Sequence, residues 1–164
     1  MTAPVSRRMI ELPGTEALWL LESAAHGQLV YVRDEVPVLR PAVHVLEYWR
    51  LIVRTPARAA DLASLSSLTY HAHEIKVAGG IGWTVTVTGP AEVITDPDEA
   101  GHYRRTLNGW AHGPHDTLVR IHPQTVAGFR LAHAEVPGEQ RTRSSPAAAC
   151  TDPARHGLRG EDRP

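Results

Sequence analysis

Hydrophobic and polar positions alternate in part of the chain with the two-residue period of a half-buried strand. The pattern is clearest where Trp83, Val85 and Val87 alternate with threonines. One face of this strand is therefore predicted to be apolar and the other hydroxylated. Seven segments rich in β-branched and aromatic residues are predicted as strands. They are residues 28–33, 36–46, 48–55, 67–77, 81–95, 117–123 and 125–136.

Three short helices are predicted between these strands from helical spacing, capping residues and alanine content. They cover residues 15–25, with Thr15 as N-cap and Gly27 as stop, part of 57–65 after Pro56, and a segment from Asp96 or Asp98 to about Trp110. The connections are too short for parallel crossovers. The pattern thus predicts a mainly β protein, an antiparallel barrel or sandwich with helices at its openings.

Composition divides the chain into one domain and two flanking segments. Residues 15–136 form the predicted domain, preceded by an N-terminal extension at 1–14. Residues 137–164 contain few large apolar side chains, so a disordered C-terminal tail is predicted. The net charge of −1 gives no overall positive field to attract nucleic acid or an anionic membrane. No apolar run has the length of a signal or spanning segment, and we expect a cytoplasmic protein.

The sequence motifs of disulfide-rich proteins, zinc metalloproteases and serine hydrolases are absent. The single cysteine, Cys150, excludes a disulfide framework and a cysteine-rich metal site. His71 and His73 share one face of a predicted strand, but no HExxH motif accompanies them and no metal site is predicted. There is no GxSxG motif, and nucleophilic catalysis is set aside.

One strand end has groups that suit a phosphate. Arg54 offers a planar fork of donors, Thr55 offers a hydroxyl, and a helix is predicted to start just after Pro56. The alternative is a solvated arginine at a strand end, with Thr55 as an ordinary helix N-cap. The spacing alone does not choose between these two interpretations.

A family resemblance rests on four segments in a fixed order. They are HGQLVYVRDEVPVLRPAVHVL, LIVRTPARAADL, HAHEIK followed by GIGWTVTVTGPAEVI, and WAHGPHDTLVRIHPQTVAGFRL. The most specific pieces are the stretch from Gly82 to Gly89 and the closing valine-arginine-isoleucine segment. Over about residues 15–133 the chain resembles the pyridoxamine 5'-phosphate oxidase-like, FMN-binding split-barrel family.

The resemblance implies an antiparallel six-stranded split barrel that forms a homodimer, with FMN in a groove between the subunits. It places the isoalloxazine ring against the second strand and the phosphate or ring edge at the strand end that contains Arg54 and Thr55. Trp83 and Trp110 of the other subunit would close the groove, although both rings also suit core packing. The implied cofactor-binding residues are Leu39, Arg40, Pro41, Val43, Ile52, Val53, Arg54, Thr55, Arg58, Trp83 and Trp110.

One departure from the family concerns the phosphate. The family commonly has a lysine after the arginine-threonine pair, and here that position holds Ala60 or Asp61. Arg58 is the candidate substitute. A deazaflavin (F420) in place of FMN stays open for this reason, and the ten histidines leave haem open as a further alternative.

The resemblance implies a flavin-dependent oxidoreductase acting on a small molecule that the sequence does not identify. In such an enzyme the protein positions the flavin and the flavin performs the electron transfer. The alternative is a non-catalytic dimeric module that binds a flavin or haem. Catalytic residues are not predicted.

Overall fold

Eight antiparallel strands and three helices make up the fold in the computed structural model, which describes residues 7–76, 78–108 and 115–134. The predicted tail at 137–164 and the candidate site residue Trp110 lie outside these residues. In chain order the elements are β1 (Arg7–Leu12), α1 (Gly14–Ser23), β2 (His26–Arg33), β3 (Val36–Glu47), β4 (Arg50–Thr55), α2 (Ala59–Ala63), β5 (Ser67–Lys76), β6 (Ile81–Val93), α3 (Pro97–Thr106), β7 (Thr117–Ile121) and β8 (Thr125–His133). None of the helices in these ranges has the length and apolar composition needed to cross a bilayer.

Six of the strands close into a ring. Around the ring β2 pairs with β3, β3 with β4, β4 with β7, β7 with β6, β6 with β5, and β5 with β2. Strand β6 closes the ring through residues 91–93, and its residues 82–88 pair instead with β8. This arrangement confirms the predicted antiparallel six-stranded split barrel over the sandwich alternative.

The two faces of β6 differ as the alternation predicted. Trp83, Val85 and Val87 are buried in the main core, which fills the barrel. The threonines on the opposite face are half-buried, and the Thr88 hydroxyl lies 2.9 Å from the Thr69 hydroxyl on β5. One face of this strand therefore packs in the barrel core, and the hydroxyls of the other face lie within hydrogen-bond distance of Thr69 and His71 on β5.

A second, smaller core lies beneath α3. Successive β4 side chains alternate between the two cores: Leu51 and Val53 point into the barrel, whereas Ile52 packs against α3 beside Tyr103 and Leu107. Strand β4 is consequently buried on both faces, because the barrel lies on one side and the helix on the other. This double burial fixes the strand whose end carries Arg54.

The helix limits differ in part from the prediction. Helix α1 begins at Gly14, because the Pro13 carbonyl accepts the first helical hydrogen bond from Ala17 at 3.0 Å; Thr15 therefore lies inside the helix. The helix ends at Ser23, and Gly27 is a residue of β2 rather than the helix stop. The prediction of Asp96 as a cap is confirmed, since its carboxylate accepts from Glu99 N–H at 2.8 Å.

Two differences concern strands. The predicted strand at 48–55 begins instead at Arg50, because Tyr48 and Trp49 have positive φ angles of 48° and 63° and form the β3–β4 turn. Both aromatic side chains are consequently exposed. Strand β1 was not predicted; its residues belong to the predicted N-terminal extension but pair with the open edge of β8. Exposed strand edges readily accept such pairing, even from a segment with a weak alternating pattern.

A buried hydrogen-bond chain joins β5, β3 and α1. The Tyr70 hydroxyl lies 2.6 Å from His44 Nδ1, and His44 Nε2 donates to the Leu21 carbonyl at 2.8 Å. A carbonyl oxygen only accepts, so Nε2 carries the proton and Nδ1 accepts from the phenol. Burial lowers the pKa of His44 and raises the pKa of Tyr70, which keeps both groups neutral in the fold.

We expect acidification to destabilise the protein through His44. Its pKa in the fold lies below the ordinary histidine value of 6.5, so the unfolded chain binds the proton more readily. The contribution is complete above that value and is lost as the pH falls through it toward the folded-state pKa. Urea unfolding at about pH 7.5 and about pH 5.5 measures this difference. The His44→Gln variant should show a smaller difference, and an undiminished one would contradict the role of His44.

Candidate functional site

The strand-end corner of β3 and β4 contains most of the predicted cofactor residues, but two of its polar side chains already have partners. Thr55 is buried, and its hydroxyl donates to the Pro41 carbonyl at 3.0 Å. Helix α2 starts only at Ala59 and has Arg58 at its N-cap position, without a side-chain cap. Thr55 is therefore not the helix N-cap, and its hydroxyl joins the β4 end to β3.

Four of the five N–H groups of Arg54 have partners at this corner. Its Nε and one terminal nitrogen donate to both carboxylate oxygens of Asp116, at 2.8 and 2.9 Å. The other terminal nitrogen donates to the carbonyls of Arg104 and Leu107, at 3.1 and 2.5 Å. Arg54 thus fixes the C-terminal end of α3 onto the barrel.

The carboxylate of Asp116 adds a negative charge to the corner. Hydrogen bonds from Arg54 lower its pKa, so it stays ionised at neutral pH. Arg104 contacts the same carboxylate at 3.3 Å from a more exposed position. Sequence reasoning missed Asp116, because a single aspartate before a strand shows no pattern that reveals its partner.

Two other arginines of the corner are exposed. Arg40 donates only to its own neighbour, the Leu39 carbonyl, at 3.2 Å, and Arg58 makes no ion pair or side-chain hydrogen bond within the described ranges. The β3–β4 register starts at the pair Val43 and Arg54, so β3 before Val43 has no partner on its β4 side among the described residues. Arg40 and Arg58 therefore lie at the same end of the β3–β4 pair, beside an open strand edge.

The remaining predicted residues of this corner divide by exposure. Leu39 and Pro41 are exposed on β3. Val43 and Ile52 are buried beneath α3, and Val53 is buried in the barrel. The buried three can contact a ligand only through their backbone, whereas Leu39 and Pro41 offer side chains.

Within one chain, Trp83 is not part of this corner. It is 9% exposed, belongs to the barrel core and lies directly opposite Arg130 in the β6–β8 register. It lines a cavity of about 330 Å³ together with Leu20, Lys76 and Leu131, and that cavity shares no lining residue with the corner. Its predicted role against the cofactor of another subunit stays a prediction.

The histidine pair that was weighed for metal binding has ordinary partners. His71 Nδ1 lies 3.0 Å from the Thr86 hydroxyl, and the rings of His71 and His73 are 5.5 Å apart. Burial and the neighbouring His73 lower the pKa of His71. Within the described ranges, no three histidine, cysteine or acidic side chains are arranged to hold a metal ion.

The closed six-stranded ring, with its sheet extended from β6 through β8 to β1, defines the antiparallel split-barrel class. The model of the pyridoxamine 5'-phosphate oxidase family matches residues 14–139, which is most of the chain. The chain therefore belongs to the pyridoxamine 5'-phosphate oxidase-like family, and the resemblance found in the sequence is confirmed.

Three bacterial proteins show the similarity. An uncharacterized protein of Mycobacterium tuberculosis is 34% identical over 133 residues, which cover 77% of this chain and 88% of that protein. The solved FAD-binding protein of Mycobacterium smegmatis is 28% identical with a TM-score of 0.59, over 76% of this chain and 100% of that chain. A solved FAD-binding protein of Mesorhizobium loti shares the fold with a TM-score of 0.65, over 78% and 100% of the two chains, at 17% identity.

Proposed function

We propose that the protein binds FMN at the β3–β4 corner and uses it as an oxidoreductase on a small molecule. The observation that carries the proposal is the pair of exposed arginines, Arg40 and Arg58, beside an open strand edge in a chain of this family. Family membership and the FAD-binding relative of Mycobacterium smegmatis support a flavin as the ligand.

The residues of the corner fit an anionic planar cofactor, although not as the sequence predicted. Arg54 uses four of its five N–H groups on Asp116 and on two carbonyls, and Asp61, at the position of the missing lysine, pairs with Arg33 at 3.0 Å. The phosphate is therefore assigned to Arg40 and Arg58, whose guanidinium groups suit phosphate oxygens. Arg54 becomes a positioning residue that holds the β4 end and α3 in place.

Chemistry and binding divide between the flavin and the protein. When bound, the flavin supplies the hydride or electron transfer. Backbone groups on the open edge of β3 would hydrogen-bond the polar edge of its ring, and Leu39 would cover part of an apolar face. Arg40 and Arg58 would neutralise the phosphate and fix its position.

We further propose that the working protein is a homodimer. The corner and Trp83 share no cavity within one chain, so a second copy is the means by which both can contact one flavin. This arrangement is the one that the family resemblance implies. Sedimentation of the flavin-loaded protein checks it, and a monomer that holds flavin tightly would contradict it.

The assignment of the phosphate predicts a specific effect of Arg58→Ala. The wild-type protein should bind FMN more tightly than riboflavin, which lacks the phosphate. Arg58→Ala should weaken FMN binding about tenfold or more, as loss of a charge-assisted hydrogen bond does, and should leave riboflavin binding nearly unchanged. Fluorescence titration of the flavin measures both affinities.

Controls and competing ligands make this experiment decisive. Arg8→Ala removes the same charge from exposed strand β1 and should leave FMN affinity unchanged.

The purified protein should show flavin absorption that a reductant bleaches and air restores. Titration with FAD, a deazaflavin and haem tests the alternatives, and a protein that takes up none of the flavins contradicts the proposal.

A further inference from the structure

The largest cavity that we describe lies outside the corner, between α1 and the β3–β4 turn. It has a volume of about 760 Å³, within the range of roughly 300–1,000 Å³ typical of small-molecule sites. We call it the tryptophan cavity, because two indole rings line it. Its lining residues are Thr15, Glu16, Trp19, Leu20, Ser23, Trp49 and Arg130.

The two indole rings are unusually exposed for their size. Trp19 on α1 is 76% exposed and Trp49 in the turn is 67% exposed. The backbone of Trp49 lies in the left-handed region, a conformation that costs a bulky residue free energy and that concentrates at functional sites. Large flat apolar surfaces that face a cavity are suited to stacking against a planar ring.

A polar pair, Glu16 and Arg130, lines the same cavity. One terminal nitrogen of Arg130 donates to one carboxylate oxygen of Glu16 at 2.5 Å. In the described part of the chain, this bond uses one of the five N–H groups of the guanidinium and one of the two carboxylate oxygens. The pair can therefore donate to a ligand carbonyl and accept from a ligand N–H at once, while its net charge is zero.

The position of α1 depends on a close approach to β8. A Cβ atom at Gly128 would lie 2.6 Å from the Ala17 Cβ, so only glycine allows the helix to pack at this distance. Helix α1 carries Glu16, Trp19 and Leu20 into the cavity wall. The cavity is therefore held by the same packing that holds the helix, and its walls are largely formed before any ligand binds.

We propose that the tryptophan cavity binds a planar heteroaromatic molecule whose edge carries a carbonyl next to an N–H group. The indoles of Trp19 and Trp49 provide the stacking surfaces. Arg130 donates to the carbonyl, and the free oxygen of Glu16 accepts from the N–H. This site is separate from the proposed FMN corner, because the cavity and the corner have no lining residue in common.

The cavity also adjoins the smaller cavity beside Trp83, since Leu20 and Arg130 line both. A ligand in the tryptophan cavity therefore lies next to the tryptophan that the family resemblance assigns to the cofactor groove.

Lumazine, a fluorescent pteridine-2,4-dione with this edge, is the probe. We expect the full-length, FMN-saturated protein to bind it, and Trp49→Ala to weaken binding about five- to hundredfold, the range for loss of one base–aromatic stack. Tyr48→Ala is the matched control. Tyr48 lies in the same turn and also has a positive φ, but its side chain does not line the cavity. It should bind like the wild type.

A second arm tests the polar edge. In 1,3-dimethyllumazine both N–H groups are blocked, and its binding should be about tenfold weaker or more, because the carboxylate loses its donor. Lumazine should bind equally well to flavin-free and FMN-saturated protein, which separates this site from the FMN corner. The proposal is overturned if lumazine fails to bind, if Trp49→Ala binds it like Tyr48→Ala, or if Trp49→Ala instead dissociates a dimer that covers both rings.

Discussion

Replacing Gly89 with alanine should destabilise the protein by about 3 kcal/mol or more, the upper part of the range for overpacking. A Cβ atom there would lie 1.8 Å from the His122 carbonyl oxygen and 3.0 Å from Gln124 N. Both are backbone atoms, so no side chain can rotate away. The strands themselves must separate.

The position makes this clash damaging. Around Gly89, the pairing partner of β6 changes from β8 to β7. Two backbone hydrogen bonds stabilise this segment. His122 N–H donates to the Pro90 carbonyl at 2.8 Å, and Gln124 N–H donates to the Thr88 carbonyl at 3.0 Å. Displacing this segment would weaken the β6–β7 pairing that closes the six-stranded ring. Urea unfolding followed by tryptophan fluorescence measures the loss of stability.

Gly101→Ala is the matched control. Gly101 lies within α3. A Cβ atom added there would lie 3.4 Å from a guanidinium nitrogen of Arg105, which is the end of a flexible side chain. Alanine in a helix interior is favoured over glycine by roughly 1 kcal/mol, so this variant should be as stable as the wild type or more stable. Equal stability of the Gly89→Ala and Gly101→Ala variants would contradict the closure role of Gly89.

Arg54→Ala is expected to destabilise the fold by about 2 kcal/mol, because it removes several charge-assisted hydrogen bonds at once from a pair whose Asp116 side chain is 38% exposed. The variant removes the bidentate hydrogen bonds to Asp116. It also leaves the carbonyls of Arg104 and Leu107, at the end of α3, without this donor. Arg54→Lys should recover only part of the loss, because an ammonium group cannot make the paired contacts. Arg104→Ala, which removes a more exposed contact to Asp116, should cost less than about 1 kcal/mol.

The same variant separates a positioning role from a phosphate-binding role. If Arg54 acts by holding α3, the preference for FMN over riboflavin should persist in Arg54→Ala at temperatures where the protein stays folded. Loss of that preference without loss of stability would return the phosphate to Arg54 and contradict our assignment to Arg40 and Arg58.

Much of the fold was readable from the sequence, because strand alternation is a local property. The pattern at Trp83, Val85 and Val87 showed which face of β6 enters the barrel. The turn at Tyr48 and Trp49 was misjudged, because aromatic residues favour strands and nothing local showed that both adopt positive φ. Strand β1 was missed because its formation depends on the open edge of β8, more than a hundred residues away.

The candidate site was predictable only as a set of positions. The sequence located the strand end that carries Arg54 and Thr55. It did not show which groups hydrogen-bond to these side chains, since Asp116, the partner of Arg54, lies 62 residues further along the chain. Ion pairs of this kind depend on side chains that the fold brings together. The tryptophan cavity could not be predicted from the sequence for the same reason, because Trp19 lies on α1 and Trp49 in the β3–β4 turn.

The sequence by itself determined the strand pattern, the family and the location of the corner, all of which depend on residue types in a fixed order along the chain. Only the tertiary structure decided which cations of that corner remain exposed and which already have partners. It also brought Trp19, Trp49 and the Glu16–Arg130 pair around one cavity. The physical reason is that free donors and cavities are properties of packing between distant segments, which no local pattern encodes.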